Sequence, residues 1–182
     1  MTNSTASSPE EKVYRRVLFI AALDGWSVIG AAGLGTLVTL VFGDLGGSFV
    51  GLLVAGAGAM ELHGRRQLRR RDAGGMRWLV RAQTFLLGVI LIYCVSRLGS
   101  FDPETAMANL TPDMEVALRE AGLTRADIQP LVHATFVATY ATVAALTLIV
   151  QGGLTLYYRS RTPRVTAFLA APPVAPTHYS VL

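Results

Sequence analysis

Five polar side chains lie where long apolar runs would ordinarily carry none: Asp24, Glu61, Arg81, Gln83 and Gln151. Ionisable groups at such positions cost several kcal/mol in hydrocarbon, so each is a candidate functional residue. The simplest chemistry among them is a charge pair. Arg81 can meet Glu61 or Asp24, satisfying donors and carboxylate in low dielectric. Two acids against one arginine leave a carboxylate over. That spare group, read as Asp24, would stay protonated or bind a proton or cation. Two uses follow. One is an interhelix clamp, with Glu61 and Arg81 partly snorkelling toward the interface. The other is a proton- or cation-responsive site open to the cytoplasm. The clamp is the preferred expectation.

Other constellations are poorer. Cys94 is the sole cysteine, which excludes an intramolecular disulfide and the thiol pair that membrane thiol oxidoreductases need. Its apolar surroundings read as those of a small buried hydrophobe. His63, His133 and His178 cannot clamp a haem, because the first two belong to opposite membrane faces and the third to the tail. One histidine with scattered acids is too few ligands for a metal. Tyr93, Arg97 and His133, with Asp102 nearby, read as an interfacial hydrogen-bonded belt. Ser27 near Asp24 lacks a histidine at its depth, so no nucleophilic site forms. No cofactor is expected. Gly30, Gly33 and Gly35 mimic a dinucleotide-binding turn, but the strand before it and the acidic partner are missing.

The elements that must position the polar set come from composition. Of 182 residues, 52% are hydrophobic and 15% charged, below the roughly 25% charged of soluble domains. The apolar residues come in blocks. A spanning helix needs about 20 of them, and four segments qualify: about 17–42, 45–63, 78–98 and 131–158. The expected fold is all-α, a four-helix transmembrane bundle with a short helical extracytoplasmic segment, 99–130, between the third and fourth spans. Residues 1–16 and 159–182 are expected to be flexible cytoplasmic tails.

Charge gives the direction. Lys12, Arg15 and Arg16 precede the first span. Arg65, Arg66, Arg69, Arg70, Arg71 and Arg77 separate the second from the third, and Arg159, Arg161 and Arg164 follow the fourth. The turn between the first two spans holds only Asp44, and 99–130 is predominantly acidic. Basic and non-basic segments alternate, which predicts both termini inside. Fifteen arginines against one lysine, with abundant Ala and Gly, suggest a GC-rich bacterial source and hence the cell inner membrane. A cleaved signal peptide fits less well, because the first run is too long and Asp24 interrupts it.

Thr111, Pro112 and Gly122 mark a short helix whose Met114, Ala117, Leu118 and Ala121 share a face. Thr124 and Asp127 form a variant capping box, with Leu123 and Ile128 placed for a staple. The segment is expected to rest on the outer face of the bundle. Asn109 and Thr111 match a glycosylation acceptor that carries little weight.

Lipid tails give helices no hydrophobic reason to associate, so small residues must allow close contact. Gly47, Gly51, Ala55 and Ala59 repeat every four residues on the second span. Ala134, Ala138 and Thr142, flanked by Ala141 and Ala145, form a similar stripe on the fourth. The second helix is therefore expected at the centre of the bundle or of a dimer contact. Arg65, Arg66, Arg69, Arg70 and Arg71 set topology first and can contact anionic lipid headgroups second. No aromatic residues interleave them to stack bases, so nucleic acid is not an expected partner.

The leading expectation is a non-enzymatic structural or accessory membrane component, self-associating or bound to a membrane partner. The alternative is a small proton- or cation-coupled transporter or channel using the Asp/Glu/Arg layer. An enzyme acting on lipid ranks third, for want of a catalytic constellation.

Overall fold

A computed structural model describes residues 8–108, 111–122 and 124–171. Among these described residues lie six helices: α1 (Pro9–Val41), α2 (Leu45–Arg69), α3 (Gly75–Gly99), α4 (Pro103–Ala108), α5 (Pro112–Glu120) and α6 (Arg125–Ala170). No strand occurs among the described residues. Four of the helices, α1, α2, α3 and α6, are long and apolar enough to cross a membrane. Each packs on two neighbours, α1 on α2, α2 on α3, α3 on α6 and α6 back on α1, so the bundle is a four-membered ring. Within it α1 lies diagonally across from α3, and α2 across from α6. The amino-terminal part of α1, the α2–α3 loop and the carboxy-terminal part of α6 share one end, here the basic end. The α1–α2 turn and the α4–α5 segment lie at the other, the acidic end.

Helix extends into both segments expected to be tails. Helix α1 begins at Pro9 because Ser8 Oγ accepts the Glu11 amide at 3.1 Å, proline opens the first turn, and Glu10 and Glu11 complement the helix dipole there. Residues 9–16 are thus helical. At the other terminus α6 continues through Pro163 to Ala170. Proline costs that helix one backbone donor, but continuation buries Val165 completely and sets the Phe168 ring 5.0 Å from that of Tyr14. Tertiary packing outweighs the basic, proline-marked stop. Expectations for Asn109, Leu123, Pro172, Pro173, Pro176 and His178 fall outside the described residues.

Helices α1 and α2 are joined by a tight turn in which Gly43 takes φ +72°, a conformation L side chains rarely adopt. Asp44 then caps α2 by accepting the Gly47 amide at 2.9 Å. The acidic segment differs from expectation. Thr111 does cap α5, accepting the Met114 amide at 3.4 Å. Yet of the face Met114, Ala117, Leu118 and Ala121 only Leu118 is even half-buried, so α5 does not lay that face on the bundle. Asp127 accepts the Thr124 amide at 2.9 Å and so secures the start of α6.

The buried cluster sits at the basic end: Val17, Ala21, Leu68, Met76, Leu79, Tyr158 and Val165. Helix α6 buries Gln151, Tyr158 and Val165, one residue every two turns, so a single line of that helix faces the interior.

Candidate functional site

Helical phase decides which polar side chains enter the bundle. On α1, Asp24 follows Ala21 by one turn and is half-buried beside Gly25. On α2, Glu61 lies on the buried line of Ala57, Gly58, Gly64 and Leu68. On α3, Gln83 shares the buried line of Leu79, Ala82 and Leu86. These lines bring Asp24, Glu61 and Gln83 to one level near the basic end, and α6 adds Tyr158.

Two hydrogen bonds cross the ring on its two diagonals. Tyr158 Oη on α6 donates to Glu61 Oε1 on α2 at 2.7 Å. Gln83 Nε2 on α3 donates to Asp24 Oδ2 on α1 at 2.6 Å. The Glu61 carboxyl also lies against the Asp24 carboxyl and the Gln83 amide, so the diagonals meet. All four spanning helices contribute one side chain to this knot. Glu61 and Gln83 are each 1% exposed, which places their polar atoms out of reach of solvent. Gln151, two turns before Tyr158 on the same line of α6, is also buried. The Oε1 atoms of Gln83 and Gln151 have no hydrogen-bond partner, so the layer holds unused acceptors as well as carboxyls.

Arg81 is the correction. It is exposed, and no ion pair joins it to Glu61 or Asp24. Two positions on a helix differ by about 200°, so with Gln83 turned inward Arg81 must turn outward. The counter-charge expected for the acids is absent, and a neutral tyrosine takes its place at Glu61. The two carboxyls are therefore held by a tyrosine hydroxyl and a glutamine amide, not by the arginine.

The close-packing residues also regroup. A side chain at Gly47 would meet Thr39 and one at Gly51 would meet Thr36, both on α1. Ala55 is half-buried and Ala59 exposed. The tight line instead continues through Gly58, where an added Cβ would lie 3.0 Å from the Gly25 carbonyl oxygen. A second close approach joins α2 to α3 at Gly64 and Gly75, backbone against backbone. The second helix therefore uses Gly47, Gly51 and Gly58 inside the chain on α1, and Gly64 on α3.

Among the arginines of the α2–α3 region, Arg65 Nε donates to the Leu18 carbonyl at 3.1 Å. Arg66, Arg69, Arg70 and Arg71 are exposed. Arg65, Arg66 and Arg69 border a groove of about 510 Å³ between α1 and α2 that Trp26, Ile29 and Leu62 line on the apolar side. Arg71 stands apart, its guanidinium 5.9 Å above the Phe168 ring. At the acidic end Arg97 Nε donates to Tyr140 Oη at 3.3 Å, and His133 packs on Phe101 with ring centres 4.7 Å apart. No group of three metal-ligating side chains occurs among the described residues.

No known family model, curated protein or solved structure matches this chain.

Sequence reasoning missed Tyr158, because a tyrosine near a helix end reads as an interfacial anchor. Its spacing of seven from Gln151 was the available signal. Tyr14 was missed likewise; its hydroxyl donates to the Leu68 carbonyl at 2.9 Å and ties α1 to the last turn of α2.

Proposed function

We propose that this chain is a non-enzymatic accessory component of the cell inner membrane, with both termini cytoplasmic, that assembles laterally with a second copy or another membrane protein. One observation carries the reading. Ala134, Ala138, Ala141, Thr142 and Ala145 form a small-residue stripe on α6 that is exposed along its whole length, whereas Gly47, Gly51 and Gly58 of α2 are already used on α1. Small residues allow the close helix approach that drives association in lipid. The expected contact therefore moves from the second helix to the fourth span. The test is disulfide crosslinking in native membranes of Ala138→Cys in a Cys94→Ser background. A crosslinked product is expected. A chain that stays monomeric with cysteine at Ala134, Ala138 or Ala145, and captures no neighbour, overturns the reading.

The Asp24–Glu61 contact favours a second reading. A carboxyl pair in hydrocarbon that takes up one positive charge from the cytoplasmic side is the minimum a small proton- or cation-coupled transporter needs. Flux in liposomes that disappears in Asp24→Asn would support it. Absent flux, or flux indifferent to that substitution, removes it.

A further inference from the structure

At the basic end, on the seam between α1 and α6, Lys12 and Arg16 face Arg161 and Arg164 across a recess of about 230 Å³ that Val13 and Tyr157 complete. Lys12 and Arg16 are four apart and Arg161 and Arg164 three apart, so each pair shares one helix face. Four formal positive charges converge there and no carboxylate lines the recess. Glu11, next to Lys12 in the sequence, pairs instead with Arg15 at 2.6 Å. Packing of Tyr14 on Phe168 and burial of Val17 and Val165 hold the two helices together beside these like charges. A bound anion would offset that repulsion. A second, independent observation marks the same recess. The Tyr157 hydroxyl is buried and has no hydrogen-bond partner, while the Arg161 guanidinium sits 5.5 Å above its ring. An oxygen-rich anion would accept from both.

The apolar surroundings select the kind of anion. One face of α6 leads from Tyr157 away from the basic end through Gly153, Val150 and Leu146. Gly153 has nothing within 4 Å of where its Cβ would be, and Val150 and Leu146 are 50% and 57% exposed. The recess thus opens onto an uncovered apolar track that starts where the charges end. A soluble phosphate compound would use only the charges; an acyl chain would also cover the track.

We propose that this recess binds the phosphate headgroup of an anionic phospholipid, whose acyl chain lies along α6 above Tyr157. The site differs from the Arg65, Arg66 and Arg69 groove, which opens on the other side of α1.

The full chain, purified in a non-ionic detergent, is titrated with phosphatidic acid, with phosphatidylcholine and with inorganic phosphate, and lipid retention is read by native mass spectrometry. Phosphatidic acid is expected to bind in preference to phosphatidylcholine, with inorganic phosphate a poor competitor. Arg16→Gln with Arg164→Gln should weaken it roughly thirtyfold, from about 1 kcal/mol per basic residue. Tyr157→Phe, which leaves every charge in place, should weaken it about fivefold, the effect of one hydrogen bond. If the double variant does not fold, the tyrosine variant carries the test. Arg66→Gln with Arg69→Gln should leave this binding within about twofold. Equal retention of both lipids, full competition by inorganic phosphate, an unaffected Tyr157→Phe, or an equal loss in the Arg66/Arg69 variant would each overturn the proposal.

Discussion

At the basic end all four spanning helices close on one cluster, and the polar knot lies just above it. At the acidic end contacts are pairwise. Helix α1 meets α2 through Thr39 and Ser48, whose hydroxyls are 3.0 Å apart, and α3 meets α6 through Tyr93 and Tyr140, ring centres 6.0 Å apart. Helix α6 buries no described residue before Gln151. One end is thus a folded core in its own right, while the other leaves helix faces to lipid or to a partner. Packing that joins all four helices and surface left uncovered on α6 are segregated along the helices, although α1 and α2 stay close at both ends. A substitution should therefore act on folding at the basic end and on association at the acidic end.

The largest expected effect tests that segregation with one chemical change at two places. A Cβ at Gly75 would strike the Gly64 carbonyl oxygen and lie 2.9 Å from the Leu68 amide nitrogen. Backbone cannot yield as a flexible side chain can, so Gly75→Ala should destabilise by about 3 kcal/mol. A Cβ at Gly35 meets nothing within 4 Å, and Gly35→Ala should be neutral or stabilise by up to about 1 kcal/mol. Thermal unfolding in detergent measures both. Equal effects would mean that the ends are not packed differently.

Next comes the knot itself. Tyr158→Phe removes the donor to a buried carboxyl and should cost about 2 kcal/mol. Arg81→Gln, which the sequence alone would rank as equally damaging, should stay within about 0.5 kcal/mol because the side chain is exposed and unpaired with either acid. A large loss from Arg81→Gln would restore the salt-bridge clamp. Further along the same line of α6, Val165→Ala should cost about 1.5 kcal/mol at roughly 0.8 kcal/mol per buried methylene. Val143→Ala, at a position 41% exposed, should cost appreciably less.

Four membrane-length helices were legible in the sequence because that length of apolar run has few other uses in a polar solvent. So was the level of the polar set, since depth follows from counting residues along each helix. Azimuth was less legible. Arg81 and Gln83 are two apart and cannot both face inward, but which one does depends on where Leu79, Ala82 and Leu86 find partners. The small-residue face of α2 was readable, while its drift from a spacing of four to three at Gly58 depended on Gly25 of a different helix. The carboxy-terminal extension of α6 was hidden by its arginines and Pro163. Those residues describe its solvent face, whereas Val165 belongs to a cluster drawn from α1, α2 and α3 and Phe168 packs on Tyr14 of α1.

The smallest expected effect separates local from global stability at the acidic end. Asp102 accepts the Glu104 amide at 3.1 Å and the Thr105 amide at 3.3 Å, capping α4. Its bond from the Thr105 hydroxyl, followed by the backbone bond from Glu104, lowers its pKa below the ordinary 3.8. A carboxylate with a depressed pKa stabilises the folded form above the unfolded value, and that contribution disappears as pH falls through the lowered one. Acidification from about pH 6 to about pH 3 should therefore fray α4, seen as chemical-shift changes at the Glu104 and Thr105 amides. Asp102→Ala should produce the same change at neutral pH. The helicity of the four long helices, followed by circular dichroism, should not move with it, because nothing in the basic-end core touches this cap. If the bundle melted together with α4, the acidic segment would be part of the cooperative core and the contrast between the two ends would fail.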